Sequence, residues 1–182
     1  MKYVALLRGI NVGWHRKVDM NALRKVFEDI GFTHVQTYIN SGNVIFCPEW
    51  ETHKKELENI REKIESMMVS RFGFPVSVML RSRADIMTTI EAVPQDWIKA
   101  WTYLPQVVFL SDDLDRPDIL DSLSLGVEHS SVRYTPWALI WNMETDTYTK
   151  SPLYKYISKK DISQKVTVRT TRTVQKLGDM MM

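Results

Sequence analysis

A single cysteine, Cys47, is all the thiol chemistry in this chain of 182 residues, so no internal disulfide can form. No apolar run approaches the ~18 residues needed to span a bilayer. The N-terminal stretch from Met1 to Arg8 has one lysine and a short apolar run closed by an arginine, too short for a secretory signal and lacking a small-residue cleavage site. These absences predict a soluble protein in a reducing, cytoplasmic setting, with no membrane partner. His15, His34, His53 and His129 are scattered with no carboxylate or cysteine at ligand spacing, so no metal and no other cofactor is expected. Cys47 has no histidine near it in sequence, and a free cysteine commonly packs as a small hydrophobe rather than acting as a nucleophile. The segment from Gly9 to Gly13 lacks the Gly-Lys-Ser/Thr ending of a phosphate-binding P-loop and does not match a dinucleotide fingerprint. That argues against a P-loop ATPase or a Rossmann oxidoreductase.

What is present is ordinary globular material. Hydrophobic residues make up 44% and charged residues 25%, enough for one large domain or two small ones with a real core. The net charge of +2 is unevenly spread: Lys150, Lys155, Lys159, Lys160, Lys165, Arg169, Arg172 and Lys176 face one acid, Asp161, so that segment alone is +7. Such asymmetry marks either an anion- or nucleic-acid-binding face or a plain solvated lysine-rich surface.

Tyr3 to Leu7 is a continuous apolar run, as in a strand buried on both faces. Asp19 is placed to cap a helix whose Leu23, Val26, Phe27 and Ile30 share one face, with Gly31 as its stop. Val35 to Ile39 and Val44 to Phe46 read as strands joined by a turn at Asn40-Ser41-Gly42-Asn43, residue types that tolerate tight turns. A long amphipathic helix from Glu49 to Arg71 and a strand through Val76, Val78 and Leu80 complete a βαββαβ order over residues 2–81, the ferredoxin-like path. Arg83 to Ala92 reads as a helix, and the stretch from Pro94 to Pro105 as a connection. The elements then recur: strand Gln106 to Leu110, helix Arg116 to Leu125, strands Ser131 to Thr135 and Trp137 to Asn142, helix Pro152 to Ser158, strand Val166 to Arg169 and a terminal helix Thr171 to Met180. The expected fold is α+β, with two ferredoxin-like βαββαβ units in tandem and an additional C-terminal helix. The divisions fall at 1–81, 82–105 and 106–182.

On that path the loop after the first strand and the turn between the second and third strands share one edge of the sheet, and Phe72-Gly73-Phe74-Pro75 arrives there as well. Glycine admits close backbone approach, asparagine offers donors and an acceptor, and arginine grips a carboxylate or phosphate through two bonds. Candidate ligand-binding residues are therefore Arg8, Asn11, Lys17, Asn40, Ser41 and Asn43, with Arg169 adding charge from the C-terminal segment. Each also has a purely structural reading: glycines for turn geometry, asparagines as hairpin caps, Arg8 paired at a strand end.

Arg8-Gly9-Ile10-Asn11-Val12-Gly13, Lys17, Gly31-Phe32-Thr33 and the run Thr37 to Val44 resemble the family known as domain of unknown function number 1697. Arg169 with Thr173-Val174-Gln175-Lys176-Leu177 is similar to that family's closing segment. The resemblance implies a cytoplasmic α+β protein with ferredoxin-like repeats and no established activity. Three positions depart from it: Trp14 replaces a usual glycine, Asp19 a common proline, and Thr170 a usual asparagine.

The first functional reading is a binding protein for a small anionic ligand or nucleotide at loops 8–17 and 40–43. A second is a nucleic-acid-binding module using segment 150–176, with Tyr148, Tyr154 and Tyr156 stacking on bases. A hydrolase or transferase with Ser41 as nucleophile is the third, although no base is placed by sequence to activate that serine.

Overall fold

The computed structural model describes residues 1–13, 16–49, 54–99, 105–123, 131–142 and 145–182. Expectations resting on Trp14, His15, His53, Trp101, His129 and Leu125 lie outside the described residues. The chain divides into two compact units, Met1–Arg83 with Asp179–Met182, and Ala84–Gly178.

In the first unit, β1 (Tyr3–Leu7), α1 (Met20–Ile30), β2 (Thr33–Tyr38), β3 (Asn43–Cys47), α2 (Lys54–Phe72) and β4 (Val78–Ser82) follow in order, and α3 (Arg83–Glu91) leads out of it. The antiparallel sheet has the order β2-β3-β1-β4, which is the ferredoxin-like arrangement. β1 is central and wholly buried: Tyr3, Ala5 and Leu7 pack with Phe27, Phe46, Ile64 and Met68, while Val4 and Leu6 on the opposite face are equally closed to solvent. α1 forms where its apolar spacing puts Leu23, Val26, Phe27 and Ile30 on one buried face. The Asp19 carboxylate accepts from the Ala22 amide at its start, and Gly31, at φ 100°, closes it. β4 begins at Val78 rather than Val76, and the Val78 amide donates to the Glu65 carboxylate.

The second unit carries α4 (Gln95–Lys99), β5 (Gln106–Leu110), α5 (Ile119–Ser122), β6 (Val132–Thr135), β7 (Ala138–Trp141), a 3-10 turn (Thr145–Lys150), α6 (Pro152–Ile157), α7 (Lys160–Ser163), β8 (Val166–Thr170) and most of α8 (Thr171–Met180). Its sheet order, β6-β7-β5-β8, repeats the first. The expected helix from Arg116 is shorter than its pattern suggests and starts only after Pro117 and Asp118. The connection before β5 contains α4, which carries Trp97 into a small cluster with Val93 and Ile140.

The repetition extends to individual hydrogen bonds. Tyr3 to Leu7 pair with Ser82 to Val78 in the same register in which Gln106 to Leu110 pair with Thr170 to Val166. Leu7 N donates to Gly42 O (2.8 Å) as Leu110 N donates to Trp137 O (2.9 Å), and Arg8 N to Ser77 O (3.0 Å) as Ser111 N to Lys165 O (2.9 Å). A buried arginine occupies the same place in each last strand, Arg81 opposite Val4 and Arg169 opposite Val107. No sequence repeat announced this correspondence, because the shared residues are few and widely spaced.

Candidate functional site

The first unit brings its three glycine-containing segments to one edge of the sheet. β1 delivers the chain to Arg8, and Ile10 and Val18, buried in the core, anchor the loop that follows. Between them Asn11 takes a left-handed conformation, φ 54°, and acts as a double-headed clamp. Its side-chain Nδ2 donates to Val18 O (3.0 Å) and to Asn40 O (3.0 Å), while its Oδ1 accepts from Val18 N (2.9 Å). One carboxamide thus closes the first loop on itself and ties it to the β2–β3 hairpin.

The hairpin is closed from within by Asn43. Fully buried at the start of β3, it donates through Nδ2 to Tyr38 O (2.9 Å) and to Ser41 Oγ (3.0 Å). A carboxamide donor is not a base, so this bond does not activate the serine as a nucleophile. Gly42 is obligatory here: at φ 78° a Cβ would sit 2.8 Å from both Ile10 Cδ1 and Leu7 Cβ. The four-residue turn presses on β1, and only glycine fits.

The cations come next. Arg8 is half-buried and its guanidinium pKa is lowered, first by burial and then by the neighbouring charge of Arg16. Arg16 lies with its guanidinium 5.8 Å from the centre of the Phe74 ring, a cation–π stack supplied by the turn that enters β4. Its Nη1 passes 3.5 Å from where a Cβ on Gly9 would stand, an ordinary contact distance, so Gly9 is called for by its own φ of 68° rather than by the arginine. Among the described residues, neither guanidinium forms an ion pair. Lys17, Asn40 and Ser41 are exposed on the same loops.

The structure therefore gathers Arg8, Asn11, Lys17, Asn40, Ser41 and Asn43 onto two adjoining loops, with the Asn11 and Asn43 amides committed to holding those loops. Arg169 belongs to the second unit, nine-tenths buried on β8, where its Nη1 donates to Thr167 Oγ1 (2.9 Å) and Val168 O (2.8 Å). Burial lowers its pKa to about 10. Sequence reasoning brought the Phe72 to Pro75 turn to this edge but missed Arg16 and its pairing with Phe74, which joins residues 58 positions apart and has no local signal.

The tyrosines expected to stack on bases are otherwise engaged. Tyr148 stacks on buried Trp141 at 5.2 Å and meets Tyr154 at 4.7 Å, and all three tyrosines pack against the second unit's core. Lys165 is tied to Asp113, which also accepts from Ser111. Among the described residues no group of histidine, cysteine and carboxylate side chains is arranged to hold a metal, and no helix is long and apolar enough to cross a membrane.

Fold and edge together define an α+β protein of two ferredoxin-like units whose clustered arginines lie on loops of the first. The chain belongs to the family described as protein of unknown function (DUF1697), whose model matches residues 1–135. It is similar to the conserved bacterial protein SP0830 from Streptococcus pneumoniae, at 28% identity and a TM-score of 0.74, over 100% of this chain and 98% of the other. No curated protein matches it.

Proposed function

We propose that the loop edge of the first unit binds a small anionic ligand or nucleotide. The observation that carries this reading is the pairing of Arg8 and Arg16: two like charges kept together by independent devices, a strand end for one and a ring for the other. Repulsion between them disfavours the empty site, and an anion offsets it while accepting from both planar donor forks. Lys17, Asn40 and Ser41 supply further donors at the rim, and Asn11 and Asn43 keep the loops in place.

Thermal shift of the full chain at low salt, with inorganic phosphate and with nucleoside monophosphates, tests the reading. A ligand at a hundredfold excess over its Kd stabilises by about 2.7 kcal/mol, a readily measured rise in Tm. The rise is expected in the wild type and absent in Arg8→Ala combined with Arg16→Ala. Equal rises in both proteins would overturn the assignment.

A further inference from the structure

The same edge carries two features that anion binding by itself does not require. Val12 is 71% exposed and Ile39 48% exposed, among the few large aliphatic side chains the described residues leave in water. Ile39 also holds φ at 47°, a left-handed conformation in which a β-branched residue is a true outlier. Asparagine or glycine would make the same turn without strain and without placing an apolar surface in solvent. Strain and exposure at one residue point to a contact made outside the folded chain. Val12 adjoins Asn11 and Ile39 adjoins Asn40, and the 3.0 Å bond between Asn11 Nδ2 and Asn40 O fixes these neighbours to each other. Val12 therefore shares the loop that carries Arg8 and Arg16, and Ile39 stands on the hairpin turn tied to that loop.

The paired guanidiniums narrow the anion. A carboxylate brings one negative charge, whereas a phosphate monoester near neutral pH brings nearly two and presents three acceptor oxygens to two donor forks. We infer that this edge takes a phosphate monoester carried on an aliphatic body, the arginines holding the phosphate while Val12 and Ile39 cover the chain beside it. The inference rests on the anion-binding reading above and specifies its ligand. A soluble alkyl phosphate and a phosphatidic acid headgroup in a bilayer present the same chemistry.

Calorimetric titration of the full chain at low salt with inorganic phosphate, ribose 5-phosphate, n-hexyl phosphate and hexanoate tests it. Hexyl phosphate is expected to bind at least about tenfold tighter than inorganic phosphate, roughly the gain from burying two methylene groups. Ribose 5-phosphate should match inorganic phosphate, and hexanoate should bind more weakly than hexyl phosphate. Val12→Ser combined with Ile39→Asn should lose the hexyl gain and keep the affinity for inorganic phosphate. Ile39→Asn alone should raise the unfolding midpoint slightly, since asparagine accepts the turn's backbone conformation, which keeps a loss of binding from being read as a loss of fold. Equal affinities for hexyl and inorganic phosphate, or a hexyl gain that survives in the double variant, would overturn the aliphatic assignment and leave anion binding standing. No binding of any phosphate that depends on Arg8 and Arg16 would overturn both. Sedimentation with phosphatidylcholine vesicles, with and without phosphatidic acid, separates the sources. Co-sedimentation that needs phosphatidic acid and is lost in the double variant assigns the headgroup, while hexyl phosphate binding without co-sedimentation assigns the free ester.

Discussion

Each of the two sheets builds the same corner, one basic and the other acidic. Leaving β1 the chain meets Arg8 and then Arg16; leaving β5 it meets Ser111, Asp112, Asp113 and Asp115. The first hairpin turns through the four residues 39–42 and is pinned by neutral carboxamides. The second turns through only Pro136 and Trp137, and is pinned by a carboxylate: Asp115 Oδ1 accepts from Trp137 N (2.7 Å) and from the Tyr134 hydroxyl (3.0 Å), whose pKa rises to about 12 through burial and that bond. Backbone pairing is common to both corners, so the difference lies in what each loop does beyond closing a sheet. At the second unit's corner Asp113 and Asp115 are spent on local ties, whereas at the first unit's corner neither Arg8 nor Arg16 forms an ion pair among the described residues.

The largest effect is expected at the point where the two turns share a backbone conformation. Gly42 and Trp137 have φ of 78° and 71°, and each carbonyl receives the same bond from the central strand. Gly42→Ala should destabilise by about 3 kcal/mol, combining left-handed strain with overpacking against Ile10 and Leu7, as read from urea unfolding. Trp137→Ala carries no new backbone penalty and should lose only packing. A neutral Gly42→Ala would show that crowding is not what separates the turns.

A smaller loss is expected at Asn43, whose counterpart in the second hairpin is Ala138. Asn43→Ala should cost about 2 kcal/mol, since it removes a buried amide that closes the longer turn, again by urea unfolding. If the variant is as stable as wild type, the longer turn closes without its carboxamide, as the shorter one does.

The smallest effect is a pH response confined to the acidic corner. Hydrogen bonds from Lys165 and then Ser111 lower the Asp113 pKa below its ordinary 3.8, so its stabilising contribution is complete above that value and fades as pH falls through the depressed one. Because the pair is on the surface, the contribution is slight and should vanish in about 1 M salt. Asp113→Asn should flatten the acid limb of stability measured below pH 4, and an unchanged limb would mean that the tie is not made in solution.

Much of the fold was legible because its determinants are local. The unbroken apolar run of β1, the Asp19 cap and the Gly31 stop each declare themselves within a few residues, and the order of elements gave the tandem ferredoxin-like path. The shortness of α5 was less visible, since a helical apolar pattern can run on where backbone pairing does not. At the candidate site, residue types identified the loops but not the division of labour within them. Asn11 and Asn43 read as ligand donors until their bonds across the turns are seen, and Arg16 owes its place to a ring brought in by β4. The tyrosines of the basic segment show the same limit: their spacing gave no sign that all three are half-buried against the second unit's core.

The Asn11 clamp has one more consequence. Both hydrogens of a single side-chain NH2 are donated, one to each wall of the loop edge, so the two loops cannot separate without releasing it. That group is an internal reporter: its proton resonances should be distinct and slow to exchange with water, and they should shift when anything seats against either loop. A single pair of signals then reads the occupancy of the edge, whatever the chemistry of the occupant.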